Sequence, residues 1–242
     1  MSMEFQEFVD RMRQIGASHE ALKKLTHMSG WAEFAQFPDA PRWALWFVAH
    51  AHCDRIPELE SIIARDAKTA YEYAKEVLRA LFPEVEPAIS GDPWRAYEYA
   101  RCVVRGRWPE GEPAISRDAE WAYHYARDII FGRWPEAEPV IASVPIYASL
   151  YATRILRRRW PEAEPVIATN HLSALDYARE VIGGRFQQAE PVIAQHPWSA
   201  CFYARDIIRG RWPQGEAAIA RDPFAAHYYD HTVCRSTNLQ RA

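Results

Sequence analysis

The sequence has few cysteines and no paired cysteine motif. Its 242 residues include four, at Cys53, Cys102, Cys201 and Cys234, and none lies close to another as in a metal-binding or redox pair. Small secreted domains that depend on disulfides carry many more cysteines for their length. The amino terminus also lacks the basic-then-apolar pattern of a signal peptide. We therefore expect a cytoplasmic protein with reduced thiols.

Long apolar runs and basic segments are also missing. No stretch approaches the roughly 18 consecutive apolar residues of a membrane-spanning helix. The net charge is −3, and no basic arm is present, so the molecule as a whole attracts neither nucleic acid nor a membrane surface strongly. We expect no membrane contact, and any nucleic-acid binding would need a local patch.

What the sequence does contain is one 26-residue unit repeated seven times. Its clearest marker is an aromatic residue at Phe47, Tyr73, Tyr99, Tyr125, Tyr151, Tyr177 and Tyr203, and Tyr229 opens a partial eighth unit. Units of this length cannot bury their apolar faces alone. The period therefore predicts an all-α fold, an α-solenoid of seven to eight two-helix repeats with an N-terminal helical cap. We assign 1-39 to the cap, 40-233 to the solenoid and 234-242 to a C-terminal tail.

The copy at 92–117 illustrates the expected repeat. Asp92 is suited to the N-cap of a long amphipathic helix, with Pro93 at its first position. Gly106 is suited to the left-handed position that ends the helix, and Gly210 recurs there. Pro109 can then open a short second helix of one or two turns, partly 3₁₀.

Several equivalent positions keep their chemistry through the copies, which predicts a stacking role. Aromatic residues at the corner predict packing wedges, and a constant alanine predicts close approach of neighbouring long helices. Recurring arginines and glutamates predict Arg–Glu pairs or glutamates near the N-termini of the short helices, with an anion-binding track as the alternative. The corner aromatics are Phe82, Trp108, Trp134, Trp160, Phe186 and Trp212, and the alanines are Ala70, Ala96, Ala122, Ala148, Ala174, Ala200 and Ala226. The arginines are Arg107, Arg133, Arg159, Arg185 and Arg211, and the glutamates run from Glu60 to Glu216.

Two copies carry a family resemblance. YARDIIFGRWPEAEPVIA at 125–142 and YARDIIRGRWPQGEAAIA at 203–220 resemble a short tandem repeat found in proteins of tailed bacteriophages and some bacteria. The resemblance implies a helical-repeat protein of phage or mobile-element origin, acting in the host cytoplasm. It carries no catalytic residues over. In that setting it implies a viral protein that inhibits or sequesters a protein of the bacterial host.

The least typical copy, at 144–169, is the strongest candidate for a partner site. Positions that vary between copies are free to contact a partner, and this long helix has no acidic residue. Arginines mixed with aromatic and aliphatic residues have the composition of an interface hot spot. The predicted partner-binding residues are Ile146, Tyr147, Leu150, Arg154, Arg157, Arg158, Leu172, Leu175, Trp198 and Phe202. The simpler alternative is that Ile146, Leu150 and Phe202 pack against a neighbouring turn of the superhelix and that the arginines are solvated.

Other chemistries have weaker support. A nucleotide or nucleic acid could bind Arg154, Arg157 and Arg158, although no glycine-rich phosphate loop accompanies them. His227, His231 and Cys234 have the spacing of zinc ligands on a helix, but a terminal surface is the simpler interpretation. His50, His52 and Cys53 form a second weak cluster. No framed nucleophile or split acid–base pair is recognisable, so we predict a non-enzymatic protein without a cofactor.

Overall fold

The computed structural model describes residues 3–51 and 55–234 of the chain. All regular secondary structure in these ranges is helical, and the helices recur in the repeating order that the sequence predicts. This confirms the all-α helical-repeat fold. The chain divides into two compact units, with the boundary between Ile115 and Ser116.

Unit 1 holds three helices ahead of the repeats, and their apolar faces pack together. The ring of Phe8 lies 4.9 Å from that of Phe47, so the N-terminal helices contact the first repeat as a cap would. Phe8 and Phe34 are fully buried. The elements of this unit are α1 Phe5–Gln14, α2 His19–Leu25, α3 Trp31–Gln36, α4 Ala40–Ala51, α5 Pro57–Ile63, α6 Ala67–Glu72, π1 Tyr73–Leu78, α7 Glu86–Ile89, α8 Pro93–Tyr99, π2 Ala100–Val104 and α9 Glu112–Ile115.

Unit 2 consists of repeats, and its long helices pack side by side in chain order. Each long helix has an α-helical first part and a π-helical second part. The elements are α10 Ala119–Tyr125, π3 Ala126–Ile130, α11 Glu138–Ile141, α12 Pro145–Tyr151, π4 Ala152–Leu156, α13 Glu164–Ile167, α14 His171–Tyr177, π5 Ala178–Ile182, a 3₁₀ turn Gln187–Ala189, α15 Glu190–Ile193, α16 Pro197–Tyr203, π6 Ala204–Ile208, α17 Pro213–Ile219, α18 Pro223–Tyr229 and π7 Asp230–Cys234.

The long helices begin as the sequence predicts. The carboxylate of Asp92 accepts a hydrogen bond from the backbone N–H of Arg95 at 2.8 Å, and Pro93 takes the first helical position. Asp222 caps α18 in the same way. A side-chain oxygen at the N-cap satisfies amides that have no partner inside the helix, which fixes where each helix starts.

The helix ends differ from the prediction at Gly106 and Gly210. The left-handed residue is the one before each glycine, with φ of 57° at Arg105 and 56° at Arg209. The π-helical turn explains the shift, because the N–H of Gly106 closes onto the carbonyl of Ala100 at 3.2 Å. In unit 2 the left-handed position holds Phe131, Arg157, Gly183 and Arg209 in successive copies.

The short second helix is confirmed, but its start varies. In α17 the helix opens at Pro213, as predicted. In α11 and α13 it is a single turn that begins at Glu138 and Glu164, one residue before a proline. The predicted 3₁₀ character is present as the turn Gln187–Ala189.

The corner aromatics and the constant alanines are core residues. All six aromatics are buried, and so are the alanines from Ala70 to Ala200, whereas Ala226 in the last repeat is half-buried. In each described pair, the tyrosine of the long helix contacts the corner aromatic that follows it, as for Tyr203 and Trp212 at 4.8 Å between ring centroids. The packing role predicted for both positions is confirmed.

The arginine and glutamate ladders form bidentate pairs. Arg159 donates from Nε and Nη2 to the two carboxylate oxygens of Glu164, both at 2.8 Å. The same geometry joins Arg107 to Glu112 and Arg211 to Glu216. The hydroxyl of a long-helix tyrosine donates to the same glutamate in most copies. The ladders therefore fix the corners, as the paired interpretation predicts, and Glu164 is buried.

Candidate surface for a protein partner

Unit 2 exposes a large apolar side chain at one equivalent position of four successive repeats. Ile146 is 53% exposed, Leu172 57%, Trp198 41% and Phe224 78%. We call these four residues the apolar strip. Large apolar side chains that recur in register on a surface mark an interaction site more often than scattered ones do.

Local structure explains why the strip faces outward. Each strip residue is the second residue of its helix, after Pro145, His171, Pro197 or Pro223. Helices α12, α14, α16 and α18 pack consecutively, so equivalent positions lie on neighbouring helices. The preceding copy has Glu120 at this position. In unit 2 the strip therefore begins in the copy at 144–169, the one whose sequence is least typical.

An aromatic cluster adjoins the strip at Trp198. The rings of Trp198, Phe202 and Tyr228 lie 5.8 to 5.9 Å apart, centroid to centroid. The guanidinium of Arg205 lies over Phe202 at 5.0 Å and over Tyr228 at 5.8 Å. Phe202 and Tyr228 are half-buried, so their rings are held but still reach solvent. Trp, Tyr and Arg are the residues that most often carry binding energy at interfaces.

Charged neighbours hold Arg205 in place. Asp206 accepts two hydrogen bonds from Arg205 and one from Arg179 at 2.6 Å, which links π5 to π6. Arg205 first, and Arg179 next, hold the pKa of Asp206 below its ordinary value. Arg205 also donates to the hydroxyl of Tyr228. A cluster fixed in this way loses little conformational entropy when a partner binds.

Leu175 does not belong to this surface. The repeat pattern predicts an outward position for Leu175, but only 4% of the residue is exposed. Its position faces the next long helix: in the equivalent place, Ser149 donates to the carbonyl of Ser173, and Cys201 contacts the carbonyl of Ala225. Leu175 is therefore core, and the prediction was wrong for this residue.

Tyr147 and Leu150 are half-buried. The ring of Tyr147 lies 6.1 Å from that of Tyr123, and burial, with Glu120 nearby, raises the pKa of Tyr147 to about 12. Leu150 occupies the position of Phe202 and Tyr228 in later copies. These two side chains reach the surface at its edge, and they are less available to a partner than Ile146.

The structure does not gather the predicted arginines into one site. Arg154, Arg157 and Arg158 are all exposed. Arg158 lines a cavity with Arg133 and Arg159, and neither Arg154 nor Arg157 is part of that lining. Arg157 takes the left-handed position, with φ of 51°, at the end of π4.

The predicted metal ligands do not form a site in the described part of the chain. The rings of His227 and His231 lie 4.4 Å apart, but no three His, Cys, Asp or Glu side chains of residues 3–51 and 55–234 are grouped so as to hold a metal ion. His50 is exposed on α4. His52 and Cys53 lie outside the described residues, as does the tail from residue 235 onward.

Sequence reasoning missed Phe224, Arg205 and Tyr228. Phe224 shares the position of Ile146, Leu172 and Trp198, so following that position into the last copy would have found it. Arg205 looks ordinary in sequence, because the same position holds Arg101, Arg127 and Arg179. Arg101 and Arg127 also lie over one ring each, so what distinguishes Arg205 is its second ring, that of Tyr228 in the next repeat.

Compared with known protein families, curated proteins and solved structures, the chain has no significant match. In residues 3–51 and 55–234, no helix combines the length and the hydropathy needed to cross a bilayer.

Proposed function

We propose that this chain is a non-enzymatic repeat protein that binds a protein partner through the apolar strip and the aromatic cluster. The observation that carries the proposal is the recurrence of exposed Ile146, Leu172, Trp198 and Phe224 at one position of consecutive helices. Packing within the unit does not account for these side chains, because their equivalent positions stay exposed in all four copies.

The composition of the surface supports a protein partner over a nucleic acid. Aromatic and aliphatic residues dominate it, and Arg205 is already held by Asp206 and Tyr228. Sequence-independent nucleic-acid binding instead needs several phosphate contacts from free cations, and its affinity falls steeply with salt. A buried hot spot surrounded by weaker contacts suits the strip and its cluster better.

A finer proposal concerns the identity of the partner. The likeness of the repeats to those of tailed bacteriophages supports a bacterial host protein that the chain inhibits or sequesters in the host cytoplasm. This part of the proposal depends on the resemblance.

The test is a capture experiment with two triple variants. The first carries Ile146→Glu, Leu172→Glu and Trp198→Glu, which places charges on the strip. The control carries Ser143→Glu, Thr169→Glu and Gln195→Glu, three exposed positions that each lie three residues before a strip residue. Proteins captured from a bacterial lysate by the wild type are identified by mass spectrometry, and their affinities are then measured with purified components.

We expect the strip variant to bind at least about 100-fold more weakly than wild type, since three hot-spot residues each contribute on the order of 1 kcal/mol or more. The control should stay within about threefold, because its added charges lie off the strip. Equal loss in both variants would mean that charge alone matters. Equal retention in both would move the contact away from the strip.

A further inference from the structure

Unit 2 contains a cavity of about 560 Å³ at the corner between two successive repeats. Three prolines, Ala142, Leu156 and Trp160 form its apolar wall. Its charged lining consists of Arg133, Arg158, Arg159, Glu138 and Glu162. The proline-rich corners are rigid, so a ligand here would meet a preformed site.

Two of the three arginines are fixed by their own glutamates. Arg133 uses Nε and Nη2 to bind Glu138 at 2.9 Å each, and Arg159 uses the same two nitrogens to bind Glu164. A guanidinium has five N–H donors. The donors on Nη1 of Arg133 and Arg159 take no part in these pairs, so both side chains keep hydrogen-bonding capacity while their positions are set.

Arg158 departs from the repeat at this place. The equivalent residue is glycine at Gly106, Gly132, Gly184 and Gly210. No hydrogen bond or ion pair joins the Arg158 guanidinium to another residue in the described part of the chain. Its charge is felt by Glu138, whose pKa is lowered by the hydrogen bond from Arg133 first and by Arg158 last. Arg158 therefore adds a third positive charge to a corner where the charges of Arg133 and Arg159 are already neutralised by their paired glutamates.

We propose that this cavity binds the phosphate group of a small phosphorylated molecule, with Arg158 as the principal ligand and the spare donors of Arg133 and Arg159 beside it. A phosphate presents three oxygens, which suits donors that come from three separate guanidinium groups, whereas a carboxylate has only two. The apolar wall would cover the uncharged part of the ligand. This site lies at a different place from the apolar strip and does not depend on the protein partner.

The negative charge of Glu162 in the cavity lining would repel a bound anion, and this gives the proposal a second test. The equivalent residues in the two preceding copies are Glu110 and Glu136, whereas the two later copies have Gln188 and Gln214. Replacing Glu162 by glutamine removes a negative charge and keeps a residue that the repeat accepts. An anion site must become stronger when this charge is removed.

The experiment is a calorimetric titration of the full chain with inorganic phosphate, phenyl phosphate and benzoate. The variants are Arg158→Gly, which restores the usual residue of the repeat, and Arg157→Gly, which removes the same charge outside the lining. Glycine is also the natural residue at the Arg157 position in the copy with Gly183. Circular dichroism checks that both variants keep the helical content of wild type.

We expect wild type to bind inorganic phosphate saturably and phenyl phosphate more tightly, because the phenyl ring gains the apolar wall. Arg158→Gly should weaken both by about tenfold or more, as the loss of a charge-assisted hydrogen bond predicts, while Arg157→Gly changes them by less than about twofold. Glu162→Gln should tighten both severalfold.

Four results would overturn the proposal. They are no saturable phosphate binding by wild type, equal effects of Arg158→Gly and Arg157→Gly, weaker binding by Glu162→Gln, and benzoate binding as tight as that of phenyl phosphate. The last result would assign the cavity to carboxylates.

Discussion

Tyr177 donates a hydrogen bond from its hydroxyl to Oε1 of Glu164, which lies thirteen residues earlier, at 2.9 Å. The same hydroxyl accepts a hydrogen bond from the backbone N–H of Trp160 at 2.7 Å. One phenol therefore ties the long helix of a repeat to the corner before it, and burial, together with Glu164, raises the pKa of Tyr177 to about 12. The recurrence of tyrosine at this position follows from these two hydrogen bonds, because phenylalanine could fill the same space but has no hydroxyl to make them.

Removing this hydroxyl should destabilise the protein. In Tyr177→Phe, the buried amide of Trp160 and the carboxylate of Glu164 each lose a partner, which costs about 1–3 kcal/mol in free energy of unfolding. Urea denaturation of Tyr177→Phe, Glu164→Gln and the double variant would measure the coupling. We expect the double variant to lose less than the sum of the two single losses. Additive losses would mean that the two side chains do not act together.

Acid should weaken unit 2 through its glutamates. Hydrogen bonds from Arg133, Arg159, Arg185 and Arg211 are the main cause that lowers the pKa of Glu138, Glu164, Glu190 and Glu216 from 4.5. Because the folded pKa values lie below the unfolded ones, this stabilisation is complete above pH 4.5 and is lost as the pH falls through the folded values.

The matched variant for that prediction is Arg159→Leu, since Leu81 is the natural residue at the equivalent position of an earlier copy. It should lower the free energy of unfolding at pH 7 by about 1–3 kcal/mol, because Arg159 is exposed but the carboxylate that loses its charged partner, that of Glu164, is buried. Its deficit should be smaller in acid, well below pH 4.5, than at pH 7, because protonation of Glu164 removes the ion pair from the wild type as well. A deficit that is the same at both pH values would assign the loss to packing instead.

Substitutions at the left-handed residue that follows a π-helical segment would measure the backbone strain at that position. Gly183 has φ of 65° at the place where Arg157 has 51°. A side chain in this region costs roughly 1 kcal/mol that glycine avoids. Gly183→Ala should therefore destabilise by about 1 kcal/mol, and Arg157→Gly should be neutral or stabilising. Chemical denaturation midpoints would check both, and stabilisation by Gly183→Ala would contradict the assignment of strain.

A histidine pair should make stability depend on pH near neutrality. The rings of His171 and His196 stack with centroids 3.6 Å apart, and Nδ1 of His171 lies 2.7 Å from the hydroxyl of Ser199. Burial first, and the neighbouring His196 next, lower the pKa of His171 below 6.5. The neutral form is thus favoured by folding, so stability is full above pH 6.5 and falls as the pH drops toward the folded pKa.

His196→Asp is the informative variant, because aspartate caps the same position at Asp92, Asp118 and Asp222. It replaces the neighbouring imidazole by a carboxylate, which favours the protonated form of His171, so it should flatten or reverse the loss of thermal stability between about pH 7 and pH 5. An unchanged pH profile would mean that the stacked pair does not control this range.

The repeat pattern was enough to predict much of the fold. Asp92 and Pro93 mark a helix start through capping and a fixed φ, which are local effects and can be read from neighbouring residues. The pairing of Arg159 with Glu164 was also predictable, because two opposite charges recur together at a constant spacing. The predicted position of the left-handed residue was wrong. The π-helical turn moved it from Gly106 to Arg105, and no residue preference in the sequence predicts that turn.

The sequence by itself determined the period, the helical class and the positions that stack, because every copy repeats the same environment and so repeats the same residues. The tertiary structure decided which variable positions face solvent. Leu172 and Leu175 stand three residues apart on one helix, yet one lies on the apolar strip and the other packs against the next long helix. Their fates differ because exposure depends on where the neighbouring helix lies, and that is set by packing between repeats, not by any property of leucine.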